Sequence, residues 1–231
     1  MSTIVAIETS TERACVALLR NGLVTTRESI GVETHSMTVL PMLQQLLHEA
    51  GISLAQCDAL AFGVGPGSFT GVRTACGLAQ GLAFGASLPV VPVVSLLAMA
   101  QAARVAGAGN DIVAVLDARM GEVYWAQYRF STEWQVVIAP ALAKPSAVIP
   151  EGDVQVCGNG LLAYSADFTQ LGNAPRHLAA NLCTPHAADL LPLALLALSR
   201  REVLHARDAQ PLYLRNKIAL TTKERLAGAR S

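Results

Sequence analysis

The 231-residue sequence predicts an α/β fold with two lobes, each built around a mixed sheet. The first half reads as three meandering strands followed by alternating helices and strands, an order that places helices on the faces of a mixed sheet. The strand-like segment at 112–117 (I-V-A-V-L-D) resembles the one at 4–8 (I-V-A-I-E), and each ends in an acid before a polar turn and a second strand. This similarity predicts that a unit of roughly a hundred residues is duplicated along the chain.

The first half contains the predicted elements of one lobe. The Asn21-Gly22 pair is typical of a two-residue hairpin turn between strands. A leucine-rich segment that stops at Gly51 predicts a helix. In full, the elements predicted here are strands at 4–8, 14–19, 23–29, 59–64 and 89–94 and helices at 36–50, 71–86 and 96–105.

The Gly-Ala-Gly-Asn run at 107–110 is typical of a linker. It divides the chain into a predicted N-terminal lobe, residues 1–106, and a smaller C-terminal lobe, residues 107–231, whose last segment we expect to pack back on the first lobe. The elements predicted in the second lobe are strands at 112–117, 122–130 and 154–157, a loop at 140–150 and a helix at 185–201.

Composition argues for protein partners rather than direct nucleic-acid binding. Lys plus Arg number 17 and so do Asp plus Glu, which gives a net charge of zero, and 52% of the residues are hydrophobic. A basic patch or a high pI usually marks independent nucleic-acid binding, and neither is present in this composition. A nearly neutral, apolar chain is instead prone to associate with other proteins.

The sequence also predicts a cytoplasmic protein. No basic segment precedes the first strand, as a secretory signal would require. The uncharged stretch 74–103 is interrupted by Pro89 and Pro92, so we do not expect a membrane span. The five cysteines form no Cys-x-x-Cys pair, which is typical of buried thiols in a reducing compartment. They are Cys15, Cys57, Cys76, Cys157 and Cys183.

The glycine-rich segment 63–71 is typical of a strand end, a tight turn and the start of a helix. Ser68 or Thr70 can cap a helix that begins near Gly71, and the free N–H groups there favour an anion. Neither standard nucleotide motif is complete, because Ser68 replaces the third glycine of a dinucleotide fingerprint and Val72-Arg73 replace the Lys-Ser/Thr of a P-loop. The alternative, a glycine turn that only caps a helix, is common in α/β proteins.

The helix that follows carries Gly77, Gly81 and Gly85 at intervals of four residues. Each glycine costs roughly 1 kcal/mol of helix propensity relative to alanine, so some contact should compensate. Two explanations stay open at this point. The glycines allow close packing either on the protein's own sheet or on a helix of a second chain.

Four motifs together resemble the TsaB (YeaZ) family. They are IETS at 7–10, GPGSFTGVR at 65–73, LDARMGEVY at 116–124 and PLYLR at 211–215. Members of that family act in making threonylcarbamoyladenosine next to the tRNA anticodon. The resemblance implies the duplicated fold shared by actin, hexokinase and Hsp70, and it implies pairing with the related catalytic subunit, TsaD.

The resemblance further implies a non-catalytic subunit that supports TsaD, works with the ATPase subunit TsaE, and meets tRNA only indirectly. We expect the helices at 36–50 and 71–86 to form a four-helix contact with the equivalent helices of TsaD, or of a second copy when TsaD is absent. The residues expected at this interface are Leu40, Leu43, Leu47, Val72, Gly77, Gly81 and Gly85.

One departure from the catalytic relative concerns its metal site. That relative carries a His-x-x-x-His motif after the equivalent helix, and two imidazoles one turn apart can hold one ion. The matching positions here are Ser95 and Met99, a hydroxyl and a thioether, which are poor substitutes for that pair. We therefore expect no catalytic residue and no metal in this chain.

Two polar turns occupy the positions at which related folds hold nucleotide phosphates. Glu8, Thr9 and Ser10 match the first hairpin, while Asp117 and Arg119 match the second. A carboxylate at a strand end could hold magnesium on a nucleotide, whereas the simpler alternative is that the hydroxyls only cap a tight turn. The resemblance implies a degenerate cleft, with no cofactor of its own and with ATP or ADP and a metal bound mainly in the complex.

Two other functions remain as alternatives. A free-standing ATP-dependent kinase of the same fold would need an adenosine pocket, for which Gly158-Asn159-Gly160 is a weak candidate. A metalloprotease would need metal ligands, and no two histidines stand at ligand spacing. The histidines are His35, His48, His177, His186 and His205, and the segment 183–186 (C-T-P-H) lacks further nearby ligands.

Overall fold

Two five-stranded sheets with the same strand order form the framework of the protein. The structure is a computed structural model that describes residues 2–31, 35–172, 174–177, 179 and 184–215. The first sheet contains β1 (Ile4–Glu8), β2 (Arg13–Arg20), β3 (Leu23–Ile30), β4 (Ala59–Gly65) and β5 (Val90–Val94), in the order β3-β2-β1-β4-β5. β1–β3 pair antiparallel, whereas β1, β4 and β5 run parallel.

The second sheet repeats this arrangement. It contains β6 (Asp111–Arg119), β7 (Glu122–Phe130), β8 (Trp134–Ala143), β9 (Gln155–Cys157) and β10 (Arg176–His177), in the order β10-β9-β6-β7-β8. β6–β8 form the antiparallel meander, and β9 and β10 are the parallel strands. The predicted duplication and the two-lobed fold of actin, hexokinase and Hsp70 are therefore confirmed.

Five α-helices in the described part of the chain cover the sheets. They are α1 (His35–Glu49), α2 (Phe69–Ala86), α3 (Ser95–Val105), α4 (Gly160–Ala163) and α5 (Ala187–Arg200). α1 and α2 lie on one face of the first sheet and α5 lies on the other. Side chains of β1 alternate between these faces, with Val5 and Ile7 in one core and Ile4 and Ala6 in the other.

α3 lies between the two lobes and contributes to both cores. Ala98 packs with the α5 core of the first lobe, while Leu96 and Met99 pack on the second sheet. The predicted boundary between residues 106 and 107 falls just after this helix. As a division into folding units it stays a prediction, since α5, from the second half of the chain, packs on the first sheet.

The strap, which we define as residues 204–215, runs back along the first lobe. Leu204 exchanges two backbone hydrogen bonds of 2.9 Å with Val90, and Leu212 donates a 2.8 Å bond to the Val64 carbonyl. The strap then reaches the second lobe, where Arg215 forms an ion pair with Glu122 at the start of β7. It therefore contacts both lobes.

Sequence prediction was wrong over part of the second lobe. The segment 140–150 was expected to be a loop, but β8 extends to Ala143. Pro140 is accommodated because β8 is the outermost strand of its sheet, where a missing N–H need not interrupt the ladder.

Cys15, Cys57, Cys76 and Cys157 are buried, and Cys183 lies outside the described residues. Within the described part of the chain, none of the helices combines the length and apolar character needed to cross a lipid bilayer.

Candidate functional site

The glycine-rich turn packs directly against the polar hairpin that follows β1. Ser68 caps α2 by accepting a 3.5 Å hydrogen bond from the Gly71 amide, so the helix begins at Phe69. The Ser68 amide donates to the Ser10 carbonyl at 2.7 Å, and the Thr9 hydroxyl donates to the Gly71 carbonyl at 2.7 Å. A Cβ at Gly71 would collide with the Thr9 carbonyl, so this close approach requires glycine.

Glu8 lies in the core rather than in a ligand site. Its side chain is only 1% exposed. Oε1 accepts a 2.6 Å hydrogen bond from the Ser10 amide, and Oε2 accepts a 2.8 Å bond from the Ser95 hydroxyl. Burial raises the pKa of this carboxyl above its ordinary value, although the hydrogen bonds from Ser10 and Ser95 oppose the shift.

Two of the predicted phosphate residues lie away from the cleft. Glu8 and Thr9 are buried and are not among the residues that line the cleft between the lobes. Thr9 instead fastens the hairpin to α2, which is the simpler alternative for this polar turn. Of the first predicted group, only Ser10 borders the cleft.

Ser95 and Met99 occupy the positions that match the catalytic relative's metal ligands. Both side chains make contacts within the fold. Ser95 bonds Glu8 at the end of β1. Met99 is buried on the second sheet, and its methyl group occupies the space that a Cβ at Gly158 would need. Neither side chain lines the cleft, and no cluster of three or more His, Cys, Asp or Glu suited to a metal occurs among the described residues.

The cleft is a cavity of about 420 Å³ between the lobes. The first lobe contributes the hairpin after β1, the start of α1 and the N-terminal turn of α2. The second lobe contributes the end of β6, and the strap closes one side. The lining residues used below are Ser10, His35, Phe69, Asp117, Arg119, Tyr124, Tyr213 and Arg215.

Asp117 and Arg119 form the second-lobe wall of the cleft. Asp117 Oδ1 accepts hydrogen bonds from the Arg119 amide at 2.8 Å and from the Tyr164 hydroxyl at 3.0 Å. Arg119 Nη1 lies 3.1 Å from Asp117 Oδ2, and the Arg119 side chain is 78% exposed. The carboxylate is thus held within the protein, and the guanidinium is the group available at the cleft.

A ring cluster lies where the strap meets α2. The Arg73 guanidinium lies 3.6 Å from the centre of the Phe69 ring, and its Nε donates a 2.7 Å hydrogen bond to the Tyr213 hydroxyl. The rings of Phe69 and Tyr213 are 5.9 Å apart. Both rings also line the cleft, so this cluster connects the cleft to the outer face of α2.

The glycines of α2 form an exposed surface that we call the ridge: Gly77, Gly81 and Gly85. A Cβ at any of the three would meet no atom within 4 Å. The other side of the helix carries Ala75, Ala79 and Ala83, all buried in the core under the first sheet. The alanines, and not the glycines, therefore pack on the protein's own sheet. The glycines face outward beside Phe84, which is 80% exposed.

The remaining predicted interface residues divide into two groups. Leu40 and Leu47 on α1 are half-buried and reach the surface. Leu43 and Val72 are each only 2% exposed, so they are buried within the chain itself. The spacing of leucines along a helix does not show whether they pack in the chain's own core or against a partner.

A second cavity, of about 410 Å³, lies near the start of α5. His186 caps this helix, because its Nδ1 accepts a 3.1 Å hydrogen bond from the Ala188 amide. Burial lowers the pKa of His186, and burial raises the pKa of Asp189 to about 7. His177 and Cys183 contribute no geometry here, since the His177 side chain and Cys183 lie outside what the structure describes.

A family model, curated relatives and a solved structure all match most of this chain. The family model of TsaD, tRNA N6-adenosine threonylcarbamoyltransferase, matches residues 29–221. The tRNA threonylcarbamoyladenosine biosynthesis protein TsaB of Haemophilus influenzae is 39% identical over 228 residues, covering 94% of each chain. The Escherichia coli protein of the same name is 37% identical over 223 residues, covering 94% of this chain and 96% of that protein. The solved structure of YeaZ from Pseudomonas aeruginosa has a TM-score of 0.84 at 41% identity, covering 93% of this chain and 100% of that chain.

Proposed function

Because this chain belongs to the TsaB (YeaZ) family, we propose that it is a non-catalytic subunit that binds and supports the catalytic subunit TsaD. The reaction served is the formation of threonylcarbamoyladenosine on tRNA next to the anticodon. The observation that carries the proposal is the exposed glycine ridge of α2.

The ridge supports a partner because no described residue outside α2 compensates for it. Three interior glycines cost the helix roughly 1 kcal/mol each relative to alanine. Since a Cβ at any ridge glycine would meet no described atom within 4 Å beyond the helix's own backbone, the compensating contact is expected from outside. A row of small residues lets a second helix approach closely, and the exposed Phe84 ring supplies apolar area at the end of the row.

The burial of Ser95 and Met99 argues for a non-catalytic subunit rather than a catalytic one. Both side chains make contacts within the fold: Ser95 donates a hydrogen bond to Glu8, and Met99 packs on the second sheet. The same burial of Glu8 argues against the alternative of a free-standing kinase, since that carboxylate does not border the cleft. The nucleotide and metal of the reaction are accordingly proposed for the complex, and not as cofactors of this chain alone.

The proposal includes four further features of the assembly. The ATPase subunit TsaE joins the complex, and tRNA is contacted indirectly. Without TsaD, a second copy of this chain occupies the same ridge and gives a homodimer. The complex works in the cytoplasm, and the buried cysteines of the described chain are compatible with a reducing compartment.

Co-purification tests the proposal. The tagged chain is recovered from its own cells, and its partners are identified by mass spectrometry, with wild type, Gly81→Leu and Ser199→Leu compared. Ser199 is exposed on α5, on the opposite face of the first sheet, so its variant adds the same side chain away from the ridge. TsaD should be recovered with wild type and Ser199→Leu and be lost with Gly81→Leu. Equal recovery with all three, or turnover of ATP and an acceptor by the purified chain alone, would contradict the proposal.

A further inference from the structure

The strap crosses from the first lobe to the second in its last four residues. Leu212 packs against the core under the first sheet, and Leu214 packs against the core between α3 and the second sheet. Tyr213 and Arg215, which alternate with these leucines, both line the cleft. The crossing from one lobe to the other therefore lies beside the cleft, between Leu212 and Leu214.

Attachment of the strap to the first lobe is extensive. Leu204 and Val90 exchange two backbone hydrogen bonds, and the Leu212 amide donates a third to the Val64 carbonyl. Between these points, the Ala209 side chain is 1% exposed in the core of the first lobe. Backbone hydrogen bonds and buried side chains thus hold this part of the strap along most of its length.

Attachment to the second lobe depends on side chains. Among the residues that the structure describes, no backbone hydrogen bond joins the strap to the second lobe. Arg215 Nη2 forms the ion pair with Glu122, and Arg215 Nη1 lies 3.3 Å from the Met120 sulfur. The Arg215 side chain is 16% exposed and that of Glu122 is 35% exposed, so water screens this ion pair less than a fully exposed one. The second-lobe end is therefore the weaker end, and the ion pair is its main attachment.

The ion pair lies next to a turn with an unfavourable backbone conformation. Arg119, Met120 and Gly121, at the turn from β6 to β7, have φ angles of 61°, 59° and 73°. Positive φ is costly for residues with side chains such as those of Arg119 and Met120, and it persists only where surrounding contacts hold it. Arg215 contacts Met120 in this turn and Glu122 directly after it. The strap therefore holds the turn that carries Arg119 at the cleft.

We propose that the strap is a releasable brace between the lobes. It remains on the first lobe, whereas loss of the Arg215–Glu122 ion pair releases the β6–β7 turn and lets the second lobe rotate relative to the first. α3, which packs on both lobes, is the pivot. The ion pair thus sets the width of the cleft. This goes beyond the proposed function, because it concerns the two lobes of a single chain and requires neither the ridge nor a partner.

Amide hydrogen exchange of the whole chain, followed by nuclear magnetic resonance, tests where the strap is released. Glu122→Gln removes the negative charge, and Arg215→Met keeps an unbranched side chain without the guanidinium. In both variants, exchange should become roughly tenfold faster at the amides beside the β6–β7 turn, as expected for the loss of one charge-assisted hydrogen bond. It should be unchanged at Val90 and Leu212, whose amides are bonded in the first-lobe attachment. No change at the turn, or an equal rise over both lobes as expected for a general loss of stability, would overturn the inference.

Residual dipolar couplings of the same samples test whether the lobes then move. One alignment tensor should fit the amides of both sheets in wild type, whereas each sheet should require its own tensor in Glu122→Gln and Arg215→Met. Two further arginine-to-methionine variants are the controls and should behave as wild type. Arg207→Met changes an exposed side chain of the strap, and Arg200→Met removes the ion pair from α5 to Glu133 of the second lobe, in which both side chains are 45% exposed. A single tensor in Glu122→Gln and Arg215→Met, or equal effects of all four variants, would overturn the inference.

Discussion

The Ser95 hydroxyl donates a 2.8 Å hydrogen bond to Glu8 Oε2, and this bond joins the end of β1 to the first turn of α3. Both groups are buried. α3 is the helix that packs on both lobes, so the bond lies where the two halves of the fold meet. A position matching a metal ligand of the catalytic relative thus holds the protein's own carboxylate.

Ser95→Ala should destabilise the fold by about 1–3 kcal/mol, because it leaves a buried carboxyl oxygen without its donor. Urea unfolding measures the difference. Ser199→Ala is the control, since that exposed hydroxyl only bonds the Leu196 carbonyl within α5 and its loss should change stability by less than about 0.5 kcal/mol. Equal stability of Ser95→Ala and wild type would show that the bond contributes nothing.

Ser95→His combined with Met99→His should not create a catalyst. Two imidazoles must replace a buried hydroxyl and a buried apolar thioether, which should cost roughly 2–5 kcal/mol of stability, and the residues that orient metal ligands are missing. Unfolding and zinc-binding calorimetry measure the two effects. Met99→Leu, a substitution of similar volume, should cost less than about 1.5 kcal/mol. A stable double variant that binds zinc and modifies tRNA by itself would contradict the account of these positions.

Asp189→Asn should gain stability relative to wild type as the pH rises from 5 to 8. Burial raises the folded-state pKa of Asp189 to about 7, so the folded protein binds its proton more tightly than the unfolded chain does. That contribution is complete below the unfolded pKa and is lost as pH rises toward about 7, at a slope of at most about 1.4 kcal/mol per pH unit.

Paired urea titrations at pH 5 and pH 8 measure this difference for Asp189→Asn. Asp153→Asn is the companion variant, because it removes an exposed carboxylate and controls for net charge. A pH-independent difference between Asp189→Asn and wild type, or one of opposite sign, would rule out a costly buried charge at Asp189.

Substitutions at Gly81 should separate chain stability from partner binding. Gly81→Ala adds a Cβ that meets no described atom within 4 Å, so it should stabilise the isolated protein by up to about 1 kcal/mol. Gly81→Leu should also fold, as judged by circular dichroism, but should prevent close approach of a partner helix. Thermal unfolding and titration with TsaD measure the two properties. If Gly81→Leu unfolds, or if it binds TsaD as wild type does, the ridge is not the contact.

Sequence reasoning succeeded where a local pattern determines the outcome. The Asn21-Gly22 turn has φ angles of 53° and 80°, as a two-residue hairpin of this kind requires, and the strands beside it follow. The local pattern did not show whether the α2 glycines face the sheet or the outside, because both faces of the helix carry small residues. Only the packing of Ala75, Ala79 and Ala83 against the sheet shows which face is free.

The cleft could be predicted only in part. Ser10, Asp117 and Arg119 lie beside predicted strand ends, so their position followed from the motifs. His35 and Arg215 are brought to the same cavity by the start of α1 and by the strap, which are far apart in sequence. The Glu8 side chain points to Ser95 and away from the cleft, and no spacing in the sequence reveals that direction.

Formation of threonylcarbamoyladenosine on unmodified tRNA tests the central claim most directly. Purified TsaD and the other components of the reaction are combined with wild type, Gly81→Leu or no added chain, and the modified nucleoside is quantified. The account predicts no product from this chain without TsaD, full activity with wild type, and at least a tenfold lower rate with Gly81→Leu at equal concentration. Product from this chain without TsaD, or a rate that does not depend on the chain, would contradict it.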